Sequence, residues 1–255
     1  MDSHRLRGGA VRVGTFALEL KGVTAGYAGA EHPAIHRVDL ALAPRELGVI
    51  VGPNGAGKTT VLEVILGLLP YQAGSVRVLG REVRAAGPRL RRRLAYLPQD
   101  LTFPPDTPYL TRDVVLMGRY GLYRPWQRLP RREVELAHSA LEAFGLAEKA
   151  GWPIGHLSGG QQRKALLARA FAKGAKVLLL DEPFASLDPK AREDLARAVL
   201  RLRDGGMTVL AVLHEDILLS HADRAFLVRG GRLRELRQVP QRIHDLWGEA
   251  LPCGA

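Results

Sequence analysis

A single cysteine, Cys253, is the only thiol in this 255-residue chain. One thiol cannot close an intramolecular disulfide, so the fold needs no oxidising compartment. Aromatic residues are sparse, at 6%, and no run approaches the roughly 18 uncharged apolar residues of a membrane span. Met1-Asp2-Ser3-His4-Arg5 leads to Arg7, Gly8 and Gly9 without an apolar stretch, so no secretory signal is expected and the chain reads as cytosolic. The eight histidines form no ligand cluster. His32 and His36 flank Pro33, which breaks the helix such a pair would need, so no metal site is expected there. Lysines are few, 7 against 30 arginines, and the arginines are spread along the chain, which reads as compositional bias rather than function. Acids number 26 against 37 bases, a formal charge of +11. That balance favours an anionic partner but does not choose among nucleotide, nucleic acid and membrane surface. With 46% apolar residues, the length suits one large domain or a domain carrying an insertion.

Phe16 to Val23 reads as a strand. Leu47-Gly48-Val49-Ile50-Val51 is a continuous apolar run, the mark of a strand buried on both faces. A glycine-rich turn follows, and then a helical pattern from Lys58 to Leu69, stopped by Pro70. Val177 to Leu180 and Thr208 to Leu213 are further buried strands. Pro189 to Asp204 is a helix with proline near its start and Gly205-Gly206 at its end. Ala225 to Arg229 turns through Gly230-Gly231 into a hairpin. The stretch from about 88 to 157 differs. Its clearest element is an amphipathic helix, Arg131 to Phe144, with Val134, Ala137, Leu141 and Phe144 on one face. The expected architecture is α/β, a single parallel-sheet domain over 16–234 with a helical subdomain inserted at about 88–157. The tails, 1–15 and 238–255, carry no readable signal.

Gly52-Pro53-Asn54-Gly55-Ala56-Gly57-Lys58-Thr59 satisfies G-x-x-x-x-G-K-[ST] between a strand and a helix. The glycines let backbone N–H groups turn inward around phosphate oxygens, and the helix N-terminus adds partial positive charge. Lys58 can neutralise the β/γ-phosphates and the Thr59 hydroxyl can ligate Mg²⁺. Without the strand and helix around it, the segment would read as a plain glycine turn. Val177-Leu178-Leu179-Leu180-Asp181-Glu182 ends an apolar strand in two acids, at the sheet edge where ligands bind. Asp181 can hold Mg²⁺, usually through water, and Glu182 is the candidate general base for an attacking water. Such a base is worth roughly 10²–10⁴ in rate.

Leu157-Ser158-Gly159-Gly160-Gln161, directly before a long helix, resembles the signature of the ABC (ATP-binding cassette) ATPases. From Phe16 to Arg234 the other motifs fall in that family's order. The resemblance implies a P-loop NTPase with a RecA-like parallel-sheet core, an antiparallel β subdomain and an inserted helical subdomain ending at the signature. Its implied cofactors are ATP and Mg²⁺. ATP would lie on Gly52, Pro53, Asn54, Gly55, Ala56, Gly57, Lys58, Thr59 and Thr60, with adenine on Tyr27. Gln99, in Tyr96-Leu97-Pro98-Gln99, would touch Mg²⁺ and report the γ-phosphate. Asp188, in Ser186-Leu187-Asp188, matches the D-loop, and His214 the switch histidine that holds the water with Glu182. Ser158, Gly159, Gly160 and Gln161 would close over ATP bound to a second cassette, so that two chains, expected to be a homodimer, sandwich two ATPs head to tail. Arg45 and Glu215 stand where the family commonly has glycine and aspartate.

Lys58 and Ser158 are 100 positions apart, too close for the coiled-coil insertion of chromosome-associated members, and translation-type members usually carry two cassettes. Val114-Val115-Leu116-Met117-Gly118-Arg119-Tyr120-Gly121 and Pro153-Ile154-Gly155 are similar to the cassettes of zinc, manganese or iron importers, and to iron-chelate cassettes. The resemblance therefore implies the ATP-hydrolysing subunit of such an importer, cytoplasmic and peripheral on the inner face of the cell membrane. Its partners would be a polytopic permease and, indirectly, an extracytoplasmic solute-binding protein, with no nucleic acid. Arg119, Arg124, Arg128, Arg131 and Arg132 interleave with Tyr120, Tyr123 and Trp126, and no acid occurs from Val114 to Arg132. This stretch reads as the permease-docking face, with a solvated loop and a nucleic-acid surface as alternatives. The other functional class is a soluble ABC ATPase in assembly, of the iron–sulfur type, or in regulation.

Overall fold

The computed structural model describes residues 16–124 and 126–247. Residues 1–15, Pro125 and 248–255, with Cys253, lie outside them. The chain opens with β1 (Leu18–Ala25), β2 (Ile35–Leu42), β3 (Leu47–Val51) and α1 (Lys58–Leu66). It continues through β4 (Tyr71–Val78), β5 (Arg81–Glu82), α2 (Val83–Arg91) and β6 (Leu94–Leu97). Three helices follow, α3 (Thr111–Tyr120), α4 (Arg131–Ala143) and α5 (Gly159–Lys173). The last elements are β7 (Val177–Asp181), α6 (Pro189–Asp204), β8 (Thr208–Val212), β9 (Arg224–Arg229) and β10 (Arg232–Glu235).

These strands make two sheets. One has the order β10-β9-β3-β8-β7-β6. It is parallel from β9 to β6, with β10 added antiparallel as the expected hairpin. The other is antiparallel, in the order β2-β1-β4-β5. Every residue of β3, β7 and β8 is buried, because a parallel strand is covered on both faces and is therefore mostly apolar; Asp181 and Thr208 are the polar exceptions, at strand ends. Alternate residues serve opposite cores. Leu47, Val49, Val51, Leu178 and Leu180 join the cluster that includes α5 and α6, whereas Ile50, Leu179, Leu210 and Val212 pack towards α1 and the antiparallel sheet.

Four expectations are corrected. The first helix stops at Leu66 rather than Leu69, because Gly67 takes a left-handed φ of 67° and its N–H caps the carbonyls of Glu63 and Val64. Within 88–157, β6 pairs with β7 as the edge strand of the parallel sheet, so the helical part of that stretch begins later. Four residues are too few to show a period. On α4, Val134 is 48% exposed while Glu133 is buried. The buried stripe runs through Glu133, Ala137, Ala140 and Leu141, because Arg119 of α3 and the Tyr123 hydroxyl (2.7 Å) both bind the Glu133 carboxylate. Finally, part of the 238–255 tail packs. Ile243 and Leu246 are buried, and the Ile243 N–H donates to Asp216 Oδ1 at 2.7 Å.

Candidate active site

β3 runs directly into the glycine-rich loop, and two of its glycines are forced by neighbours. A Cβ on Gly52 would sit 2.2 Å from the Val228 carbonyl oxygen of β9. One on Gly57, at φ 104°, would sit 2.7 Å from Ala34 O and 2.8 Å from Ile35 Cγ2. Gly57 is also the N-cap of α1 and supplies no side-chain cap, which leaves the first turn of the helix open to an anion. Lys58 is buried, and its Nζ donates to Gly52 O and Pro53 O, each at 2.9 Å. Burial lowers the pKa of this ammonium, and the charges of Glu182 and Asp181 oppose that shift.

Asp181 closes β7 at the C-terminal edge of the sheet, with 2% of its surface exposed. Its Oδ2 accepts from the Tyr96 hydroxyl at 3.4 Å, while Oδ1 is buried with no hydrogen-bond partner among the described residues. Burial raises the carboxyl pKa and the neighbouring Glu182 raises it further, against Thr59, Tyr96 and Lys58, which lower it. Tyr96 in turn is pushed up by burial and by the Asp181 charge. Glu182 takes a positive φ of 46°, a strained backbone for a residue with a side chain. Its N–H donates to Val212 O at 3.1 Å, and its Oε1 lies 2.8 Å from His214 Nε2. A hollow of about 30 Å³ beside this pair is lined by Glu182, Phe184, Ala185, Leu213, His214 and Glu215. That is room for one water.

Tyr27 keeps 48% of its surface exposed, but its hydroxyl is tethered. It donates to Glu63 Oε2 at 2.6 Å and lies 3.3 Å from Thr60 Oγ1. Both partners belong to α1, so the ring is fastened to the helix that follows the glycine loop. Gln99 is exposed two residues beyond β6.

Tyr27, Gly52–Thr60, Asp181, Glu182 and His214 thus gather around the start of α1 and the ends of β7 and β8. The residues Ser158–Gln161 and Asp188 stand at the starts of α5 and α6 instead. Ser158 caps α5, accepting from Gln161 N at 3.4 Å, while Gln161 Oε1 accepts from Ser158 N at 3.1 Å and from Lys149 Nζ at 3.0 Å. Asp188 caps α6 through Ala191 N at 2.9 Å. Among the described residues, no hydrogen bond or ion pair joins Ser158–Gln161 to the glycine loop.

Sequence reading missed Glu63 and the contact made by Tyr96. Glu63 stands three positions after Thr60, on the same face of a helix, a usable signal once Tyr27 was in question. The contact of Tyr96 with Asp181 depends on β6 pairing with β7, which no local pattern announces. The stretch Arg119 to Arg132 is also not uniform. Arg119 binds Glu133 and donates through Nη1 to Ala172 O at 2.6 Å, so Arg119 and Tyr123 face inward. The hydrogen bond from Arg119 holds the Glu133 carboxyl below the usual range, ahead of the contribution of Tyr123. Tyr120, Arg124, Trp126 and Arg128 remain exposed. At the N-terminal end of β6 lies a cavity of about 700 Å³ lined by Arg81, Arg92, Arg93, Lys173, Leu90 and Leu122, among others, with no acidic residue among the described residues that line it.

The family model described as "ABC transporter" matches residues 35–185. The manganese transport system ATP-binding protein MntB of Bacillus subtilis (strain 168) is 37% identical over 200 residues, 78% of each chain. The zinc transport system ATP-binding protein TroB of Treponema pallidum (strain Nichols) is 36% identical over 214 residues, 84% of this chain and 78% of its own. Among solved structures, the ADP conformation of MJ1267, an ATP-binding cassette of an ABC transporter, superposes with a TM-score of 0.78 at 25% identity. It covers 92% of this chain and 99% of that one.

Proposed function

This chain belongs to the ABC transporter family, and from that premise we propose that it powers the import of a transition-metal ion, manganese, zinc or iron, or of an iron chelate. As a member it is a nucleotide-binding ATPase of a transport system. The observation that carries the substrate class is its similarity to manganese and zinc transport ATP-binding proteins over most of both chains. These relatives favour a transport motor over a soluble assembly or regulatory ATPase.

The geometry supports the following chemistry. The first turn of α1 and Lys58 hold the β- and γ-phosphates, and Lys58 would exchange the carbonyls of Gly52 and Pro53 for phosphate oxygens. The ring of Tyr27, pinned by Glu63 and Thr60, carries the adenine, a contact worth about 1–3 kcal/mol. The orphaned, buried Oδ1 of Asp181 fits a cation, and Thr59, Gln99 and Asp181 would hold Mg²⁺. When bound, Mg²⁺ neutralises charge developing on the phosphate oxygens. Glu182 takes a proton from water as its oxygen attacks the γ-phosphorus and the bond to the β-phosphate oxygen breaks, leaving ADP and phosphate. His214, 2.8 Å from Glu182, holds the water and carboxylate in register. Ser158, Gly159, Gly160 and Gln161 serve the ATP of a second copy, with Asp188 at the seam of a head-to-tail dimer.

A polytopic permease completes the machine, reached by a solute-binding protein on the far side, while this chain sits peripherally on the cytoplasmic face. No helix among the described residues is long and apolar enough to cross a membrane. The cation-lined cavity at the start of β6, with Leu122 in its lining and exposed Tyr120 two residues before it, suits an acidic, partly apolar cytoplasmic segment of that permease better than Arg119 and Tyr123, which are occupied internally.

The test is metal uptake by cells lacking this chain under manganese, zinc or iron limitation. Uptake of at least one metal, free or chelated, should fall and return with the wild-type chain but not with Glu182→Gln. Unchanged content of all three metals overturns the substrate class. A Glu182→Gln chain that co-purifies with soluble proteins alone, membranes extracted, overturns the transport role.

A further inference from the structure

The chemistry above uses Glu182 and His214 but leaves Arg192 idle, and that guanidinium holds two separate segments. Its Nε donates to Leu187 O at 2.8 Å, and its Nη1 lies 3.1 Å from Glu215 Oε2. Glu215 directly follows His214, which meets Glu182 at 2.8 Å. The loop Ala185–Asp188 is also held by Arg163 of α5, whose Nη1 donates to Ala185 O at 2.7 Å. The start of α5 rests on the same region, since a Cβ on Gly160 would lie 3.0 Å from Ala191 Cβ. Contacts therefore run without a gap from the Ser158 end of α5, across the loop, through Arg192 and Glu215, to the His214–Glu182 pair.

Arg192 and Glu215 are 35% and 31% exposed, and an ion pair that wet stabilises a fold little. What the pair supplies is geometry. A planar guanidinium can bind a carbonyl and a carboxylate at once in fixed directions, which a lysine cannot. Glutamate after His214 extends one methylene beyond aspartate, and its carboxylate reaches α6.

We propose that Arg192 is a positioning residue that ties His214 to the loop Ala185–Asp188, so that closure of Ser158–Gly160 over a second copy's ATP is felt at this chain's own Glu182–His214 pair. This rests on the head-to-tail reading given above. One chain then links the two ATP sites through the Arg192 side chain on α6, which acts on His214, beside the backbone bond by which Ala185 N–H donates to Glu182 O at 3.2 Å.

The experiment compares kcat, KM for ATP, the Hill coefficient and the unfolding temperature of the full chain. The variants are Arg192→Ala, Arg192→Lys, Glu215→Ala, the double alanine, and the exchange of Arg192→Glu with Glu215→Arg. Each single substitution, lysine included, should lower kcat about tenfold and flatten the Hill coefficient, with KM and unfolding temperature little changed. The double alanine should be no worse than either single, and the exchange should recover part of the rate. Wild-type kcat in Arg192→Ala, or losses that multiply in the double variant, would overturn the link. The underlying reading is checked separately by light scattering of Glu182→Gln with ATP. A monomer removes the sandwich and the link together, whereas a dimer alongside undiminished turnover in Arg192→Ala removes the link alone.

Discussion

α1 and α5 both start on a glycine-bearing segment, and each start could receive an anion, yet the surroundings differ. Behind α1, Gly52 and Gly57 are jammed against β9 and the start of β2, no side chain caps the helix, and Lys58 is buried beside two acids. At α5, Ser158 and Gly159 are exposed, and Ser158 and Gln161 satisfy each other's backbone through a capping box. The first start is built for a ligand by the chain's own tertiary contacts. The second satisfies its own backbone groups, and in the proposed head-to-tail sandwich it would be completed by the ATP of another molecule. A helix N-terminus is therefore a potential anion site wherever it occurs, and what surrounds it decides whether one chain suffices.

Four predictions sharpen or break this contrast. The largest concerns the built site, where Glu182→Gln should cut ATP turnover by roughly 10²–10⁴ with nucleotide binding intact. Loss of binding in a fluorescence titration would make Glu182 a builder of the site rather than its base. Next, matched glycine substitutions set the two starts against each other in urea unfolding. Gly57→Ala should cost about 2–3 kcal/mol from its positive φ and its backbone clash. Gly159→Ala, whose Cβ would meet only Leu187 Cδ2 at 3.7 Å, should cost under about 0.5 kcal/mol. Equal losses would erase the distinction.

A smaller effect, of opposite sign, is expected at Asp181. Its folded carboxyl has a raised pKa, so the folded chain binds more protons than the unfolded chain between the ordinary carboxylate value and the raised one. Stability of the ligand-free chain should fall as pH rises through that interval. Asp181→Asn should abolish the slope and add about 1 kcal/mol above it, while Mg²⁺ and ATP no longer stabilise the protein; thermal unfolding across pH reads both. The smallest effect belongs to Ser158→Ala. The long 3.4 Å cap bond should cost about 0.5–1 kcal/mol, with ATP affinity of a single chain unchanged. A change in that affinity would mean that the two starts act within one molecule.

The features fixed along the chain are those that sequence neighbours decide. The spacing of Gly52 to Thr59, the apolar runs of β3, β7 and β8, and the Pro189 and Gly205 that bracket α6 are all local, and each implies its backbone without knowledge of anything distant. Residues that meet across the sheet were not legible in this way. The strand order β3-β8-β7-β6 is not chain order, so the pairing of Tyr96 with Asp181 and of Glu182 with His214 waits on which strands lie side by side. Pairing of that kind is settled by burying whole faces, not by any one segment. The same holds for Glu133, which a helical pattern assigns to solvent until Arg119 arrives from α3, and for Arg192, whose two acceptors come from segments on either side of α6 in sequence. Local chemistry named the phosphate loop and the acids; only packing put a partner, or none, on each of their atoms.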